Sequence, residues 1–170
     1  LWVTPGNRVT RQELLLTCAH EGYPGHHLHA VHALGASTAV GRVLTDPRRA
    51  AGWALYVESL LPTLVPATGA AALALALLIQ RGRLWRALRV ELDIALHCQG
   101  LPLSQVAARF AAELHFGPAQ AQAEALRLAL HPTRGLSYLL GARDLFARRA
   151  AAESAGPFDE RHFHAEALSL

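Results

Sequence analysis

Apolar residues recur along the chain at helical intervals and nowhere alternate as strands require. Leu14, Leu15, Leu16, Cys18 and Ala19 follow Thr10-Arg11-Gln12-Glu13, a capping box in which the Thr and Glu side chains satisfy each other's orphan backbone donors. That helix runs into a histidine-rich stretch, where Pro24-Gly25 interrupts it, because proline lacks a donor and collides with the preceding turn. Helix resumes from about His26 to Leu34 and stops at Gly35. Asp46-Pro47 supplies an N-cap and a first-turn proline, opening a helix that carries Trp53, Leu55, Tyr56 and Leu60 until Pro62. Trp53 and Tyr56, at helical spacing, read as core. Further helices are predicted over Ala67–His97, ending near Gly100, from Ser104 to near Gly117, over Pro118–Leu130, and over Arg134–Ala155 despite Gly135 and Gly141. Asp159 caps a last short turn with His162 and His164. The prediction is one all-α domain over residues 1–170, a single helical bundle of about six to seven helices, with a minor hairpin between Gly35 and Thr45.

Composition trims the function classes. The net charge is only +3, and all sixteen basic residues are arginines. They are scattered apart from Arg81, Arg83, Arg86 and Arg89, which read as a solvated face. No basic stripe with interleaved aromatics is present, so nucleic acid is not an expected partner. Cys18 and Cys98 make neither a disulfide framework nor a Cys-x-x-Cys site. The most apolar stretch, Ala67 to Ile79, is shorter than the roughly 20 residues a membrane span needs and reads as a buried core helix. No signal peptide is visible, and the default compartment is cytoplasmic. The chain opens on Leu, which suits a processed product or a fragment.

Five of the ten histidines lie between His20 and His32. Zinc takes neutral imidazole and carboxylate ligands, usually three from the protein at a catalytic site. The helical pattern H-E-x-x-H puts two such imidazoles on one face, with the Glu beside the first as general base. His20 and His26 are six residues apart, roughly 240° around an unbroken helix and about 9 Å along it. One ion cannot take both unless Pro24-Gly25 is extruded as a bulge, which restores H-E-x-x-H with Glu21 in the general-base place. The competing expectation is a wet surface of unrelated imidazoles. His29, His32, His115 and His131 have no evident partner.

Cys18-Ala19-His20-Glu21-Gly22-Tyr23-Pro24-Gly25-His26-His27-Leu28 resembles the H-E-x-x-P-G-H-H core of the bacterial family called domain of unknown function 885, whose members look like zinc peptidases of the gluzincin group. Further blocks match in order. Gly52-Trp53-Ala54-Leu55-Tyr56-Val57-Glu58 resembles E-G-W-A-L-Y-A-E. Leu84-Trp85-Arg86-Ala87-Leu88-Arg89, continuing to Asp93 and His97, resembles L-W-R-A-x-R…D-x-x-x-H. Pro132 to Gly141, with Leu136-Ser137-Tyr138, resembles P-x-x-x-L-S-Y-x-x-G, and Phe158-Asp159 through Arg161, Phe163 and His164 resembles F-D-x-R-x-F-H. The resemblance covers nearly the whole chain and corresponds to the carboxy-terminal third of a typical member, a zincin-like metal-site half without the amino-terminal region.

The resemblance implies Zn²⁺ held by His20 and His26, with Glu21 activating water against a peptide bond. It places a third ligand at the first Glu of E-G-W-A-L-Y-A-E, where this chain has Ala51. Glu58 lies seven residues on, about 10 Å along the helix, and is expected to stand out of reach without a large rearrangement; His27 is an alternate ligand. The resemblance also suggests His97, with Asp93, and Tyr138 as catalytic groups. Arg134 and Arg161 are candidates to hold a substrate carboxylate bidentately. The expected activity is therefore a zinc metallopeptidase of carboxypeptidase or oligopeptidase type, impaired at Ala51. The alternative is an inactive binding or scaffold relic of the same fold. A third option is a partner chain supplying the missing region, with Ala67 to Ile79 as interface.

Overall fold

The computed structural model describes residues 9–36, 39–44 and 46–169, and every described element is helical. In chain order these are α1 (Arg11–Glu21), α2 (His26–Leu34), α3 (Ala39–Val43), α4 (Pro47–Leu64), α5 (Gly69–Cys98), α6 (Leu103–Leu114), α7 (Pro118–Leu130), α8 (Arg134–Ala155) and α9 (Glu160–Ser169). The all-α expectation is met. Between Gly35 and Thr45 the described residues form the short helix α3 in place of a hairpin; residues 37, 38 and 45 lie outside the described residues.

Local chemistry sets many of the boundaries. Thr10 accepts from the Glu13 backbone while the Glu13 carboxylate accepts from the Thr10 backbone, closing the capping box of α1. Asp46 caps α4 by accepting from the Arg48 backbone, with Pro47 in the first turn. The helix continues past Pro62 to Leu64, two residues beyond the predicted stop. Asp159 accepts from the backbones of Arg161 and His162 and opens a full α9, longer than the short turn foreseen.

The long α5, about 45 Å from end to end at 1.5 Å per residue, joins two hydrophobic clusters. Its Leu75 and Ile79 pack with Trp53, Tyr56, Leu61, Leu145 and Phe163. Its Leu88 and Leu92 pack with Val106, Phe110, Leu114, Ala125 and Leu128 of α6 and α7. Polar side chains at Gly82–Arg89 fill the seam between the clusters, where the cleft described below opens. The Ala67–Ile79 segment is not the fully buried helix expected: Leu73 and Leu77 are more than 60% exposed, at 62% and 61%. Only one stripe of this helix faces the core. Among the described residues no helix is long and apolar enough to cross a membrane.

The α4–α8 contact is the most extensive in the fold, and glycines make it so close. A Cβ on Gly141 would run into the Arg48 carbonyl, and one on Gly52 would run into the Gly141 backbone. Gly141 is thus needed where it stands, although its intrinsic effect on a helix is unfavourable.

Candidate active site

Glu21 ends α1 and His26 begins α2, so the four residues from Gly22 to Gly25 leave the helix as a bulge. Gly25 passes so close to the end of α1 that any Cβ would strike the His20 and Ala19 carbonyls. The Trp53 indole donates to the Pro24 carbonyl at 2.7 Å and ties the bulge to α4. The outcome is that the His20 and His26 rings meet edge to face, with centroids 4.9 Å apart. The six-residue spacing that forbids such a meeting in a straight helix is resolved by the Pro-Gly break.

His20 is 9% exposed, and its Nδ1 donates to Glu58 Oε1 at 2.7 Å. Glu58, 2% exposed, also accepts from Arg86 Nη2 at 2.7 Å on the same oxygen. Its other oxygen, Oε2, is buried without a hydrogen-bond partner. Glu58 thus meets His20 as a hydrogen-bond partner on the Nδ1 side of the ring. Seven residues are two helical turns, so Ala51 and Glu58 share one face of α4, and α1 crosses that face at the level of Glu58. Ala51 itself is buried. Arg86 reaches the carboxylate because Gly82, one turn earlier, leaves room; a Cβ there would sit 2.6 Å from Arg86 Nη1.

Glu21 is half exposed, with its Oε1 4.0 Å from His20 Nε2. Tyr138 of α8 stacks on the His20 ring, with centroids 6.3 Å apart and the planes nearly parallel, and the Arg86 guanidinium lies 5.9 Å above the Tyr138 ring. His20, Glu21, Glu58, Arg86, Arg89 and Tyr138 line one cleft of about 340 Å³. Burial, helped by the neighbouring His20, lowers the His26 pKa, against a smaller opposing pull from Glu21.

Other candidates sit elsewhere. His27 is exposed and turns its ring edge to Tyr23. His97 does not line the cleft: its Nε2 donates to the Leu128 carbonyl at 3.2 Å and stands 3.6 Å from Asp93. Arg161 is exposed on α9, and Arg134 lines a second cavity next door. Arg86 and Arg89, read from the sequence as a solvated face, instead turn inward onto Glu58 and Glu124. Glu124 was not legible as a site-supporting residue, since nothing in the amphipathic α7 pattern marks it.

Among the described residues no three His, Cys, Asp or Glu side chains converge closely enough to hold a metal ion. The imidazoles of His20 and His26 are nonetheless of the kind zinc takes, and Glu58 holds His20 through its Nδ1 in the manner of a carboxylate behind a metal-binding histidine.

The helical fold and this centre define an all-α protein with a histidine–carboxylate site in a cleft between two cores. The chain belongs to the family described as bacterial protein of unknown function, DUF885, whose family model matches residues 2–170. Among solved structures it is similar to the putative lipoprotein from Colwellia psychrerythraea, with 25% identity and a TM-score of 0.85 over 93% of this chain and 27% of that one. The chain therefore spans 27% of the length of that protein. No curated protein matches it.

Proposed function

We propose that the cleft is the hydrolytic centre of a metal-dependent peptidase, with His20 and His26 as imidazole donors for zinc, Glu58 as the carboxylate that orients His20, and Glu21 as general base. The observation that carries this reading is the Pro-Gly break that brings the His20 and His26 rings together, with His20 held by Glu58, 38 residues away in sequence. Zinc, when bound, supplies Lewis acidity toward a carbonyl oxygen and toward water. Burial holds His26 toward its neutral form, the form a ligand needs. Glu58 fixes the ring and tautomer of His20 by accepting from its Nδ1, which leaves Nε2 on the side of Glu21. Glu21, half exposed on the cleft wall, takes a proton from water. The Tyr138 phenol, stacked on His20, donates to the oxyanion that forms when that water attacks a peptide carbonyl, and Glu21 then gives its proton to the leaving amine as the C–N bond breaks.

Glu21→Gln tests the reading. The variant should lose peptide hydrolysis by roughly 100-fold or more, while its helical content and zinc bound per chain stay as in the wild type. Undiminished hydrolysis in Glu21→Gln excludes the mechanism.

A second reading, a non-catalytic binding module, is favoured by Arg86, whose guanidinium already neutralises Glu58. Protein that retains no zinc after exposure and dialysis, and that cleaves no peptide, decides for this module.

A further inference from the structure

Beside the cleft lies a second cavity of about 230 Å³, lined by Arg89, Arg127, His131, Arg134, Gly135 and Tyr138 among others. Arg89 and Tyr138 line both spaces, so the width of one side chain separates this cavity from His20 and Glu21. Three guanidinium groups meet here, and the carboxylate paired with them is Glu124. Glu124 is 4% exposed and accepts from Arg89 Nε and Nη2 at 3.0 and 2.6 Å and from the Trp85 indole at 3.1 Å. Arg127 stands 3.6 Å from its other oxygen. Arg134 takes part in none of the ion pairs among the described residues. The cavity thus holds one guanidinium locked in place by Glu124 and another available to a ligand.

The fold builds this arrangement deliberately close. Asp93, 3% exposed, accepts from the Thr133 backbone at 3.2 Å and so holds the turn between His131 and Arg134 against α5. A Cβ on Gly135 would press on the Arg89 side chain and carbonyl at 3.2 and 3.3 Å, so glycine lets the start of α8 lie directly on α5. Asp93 is therefore a positioning residue for the arginine cavity.

We propose that this cavity receives the α-carboxylate of a peptide's carboxy-terminal residue, which makes the chain a carboxypeptidase; the assignment rests on the hydrolytic reading of the adjoining cleft. A carboxylate matches the planar fork of an arginine with two parallel hydrogen bonds. The volume is several times the roughly 30 Å³ share of one water, enough for a carboxylate and the atoms around its Cα. Tyr138 and Arg89, shared by the two spaces, put a terminal carboxylate in a cavity that adjoins the cleft holding the general base.

The test uses the full chain carrying Glu21→Gln, with N-acetyl-Ala-Leu and its carboxy-terminal amide as probes in isothermal titration. The acid should bind at least about tenfold more tightly than the amide, since only the acid carries the charge and the two parallel acceptors that match the Arg134 fork. Adding Arg134→Ala should remove that preference by weakening the acid alone, and Arg134→Lys should restore part of it. Equal binding of acid and amide, or a preference that survives Arg134→Ala, overturns the proposal. In parallel, protein with Glu21 intact should release a single terminal residue from the free acid and leave the amide whole. Cleavage of the Ala–Leu bond in the amide as readily as in the acid overturns the carboxypeptidase assignment. An Arg134-dependent acid preference in a protein that cleaves neither peptide removes the hydrolytic reading and leaves the carboxylate site standing.

Discussion

Tyr56 and Glu58 stand two residues apart on α4 and are equally sealed from solvent, at 0% and 2% exposure, yet their polar surroundings differ in kind. Tyr56 belongs to a closed network. Its oxygen accepts from Arg149 Nη1 at 2.7 Å, and its hydroxyl donates to His164 Nε2 at 2.9 Å. Arg149 goes on to Glu153 and Glu160, both at 2.8 Å. Glu58 belongs to an open one. Two donors crowd onto Oε1 while Oε2 has none. A buried acceptor left unmade costs about 1–3 kcal/mol, and this fold carries that cost on the side of α4 that lines the cleft. The comparison separates a network that holds α4, α8 and α9 together from one that keeps an unmet acceptor beside the cleft.

The sharpest way to break the comparison is to delete each centre in turn. Glu58→Ala leaves the Arg86 guanidinium, 13% exposed, and His20 without a counter-charge. Removing one partner of a buried pair costs about 3–5 kcal/mol, and denaturant unfolding should read a loss of that size. The paired change Glu58→Leu with Arg86→Leu should lose far less than the two single changes summed, because no lone charge is then left inside. A loss below about 1 kcal/mol for Glu58→Ala alone would mean that the pair is solvated and that the unmet oxygen is not a feature of the fold.

Tyr56→Phe is the smaller effect. Arg149 keeps its two carboxylates, and the site loses one donor to His164, so about 1–3 kcal/mol is expected. Peptide hydrolysis per folded molecule should be unchanged, whereas Glu58→Ala should abolish it. A Tyr56→Phe variant that folds normally but no longer hydrolyses peptide would erase the distinction between the two networks.

The contrast also shows what the residues alone made legible. Punctuation by proline, glycine and capping side chains acts within a few residues, which is why the bounds of α2, α7 and α8 were readable from His26, Pro118 and Arg134. The break at Pro24-Gly25 was readable for the same reason, and with it the pairing of His20 and His26. Glu58 was not. Its distance from Ala51 along one helix is fixed by rise per residue, but which of the two levels α1 crosses depends on packing between helices. The run from Ala67 to Ile79 misled in a similar way, since apolar content does not say which stripe of a helix finds a partner. Arg86 and Arg89 looked like solvated charges because their partners, Glu58 and Glu124, come from other helices.

Acid titration gives the smallest and most specific comparison. Burial lowers the His164 pKa; Glu160 opposes this and Arg149 adds to it. His164 meets Tyr56 and Trp53 of α4, Arg149 of α8 and Glu160 of its own helix. A folded-state pKa below the unfolded value means that the unfolded chain binds more protons in the interval between them. Stability is then fully present above about pH 6.5, the ordinary histidine value, and declines as pH falls below it. His29 on α2 shifts in the same direction, again chiefly by burial. The unfolding midpoint should accordingly be flat from about pH 7 to about pH 9 and fall on acidification, with a shallower fall in His164→Gln. The hydrogen-bond pattern agrees in sign: Tyr56 already accepts from Arg149 and gives its proton to His164, so a protonated ring would bring a second donor to an oxygen already engaged. Because burial is the leading cause, Tyr56→Phe should trim the acid slope without abolishing it. A midpoint that rises between pH 7 and pH 5 would show that the closed network is not holding a neutral imidazole.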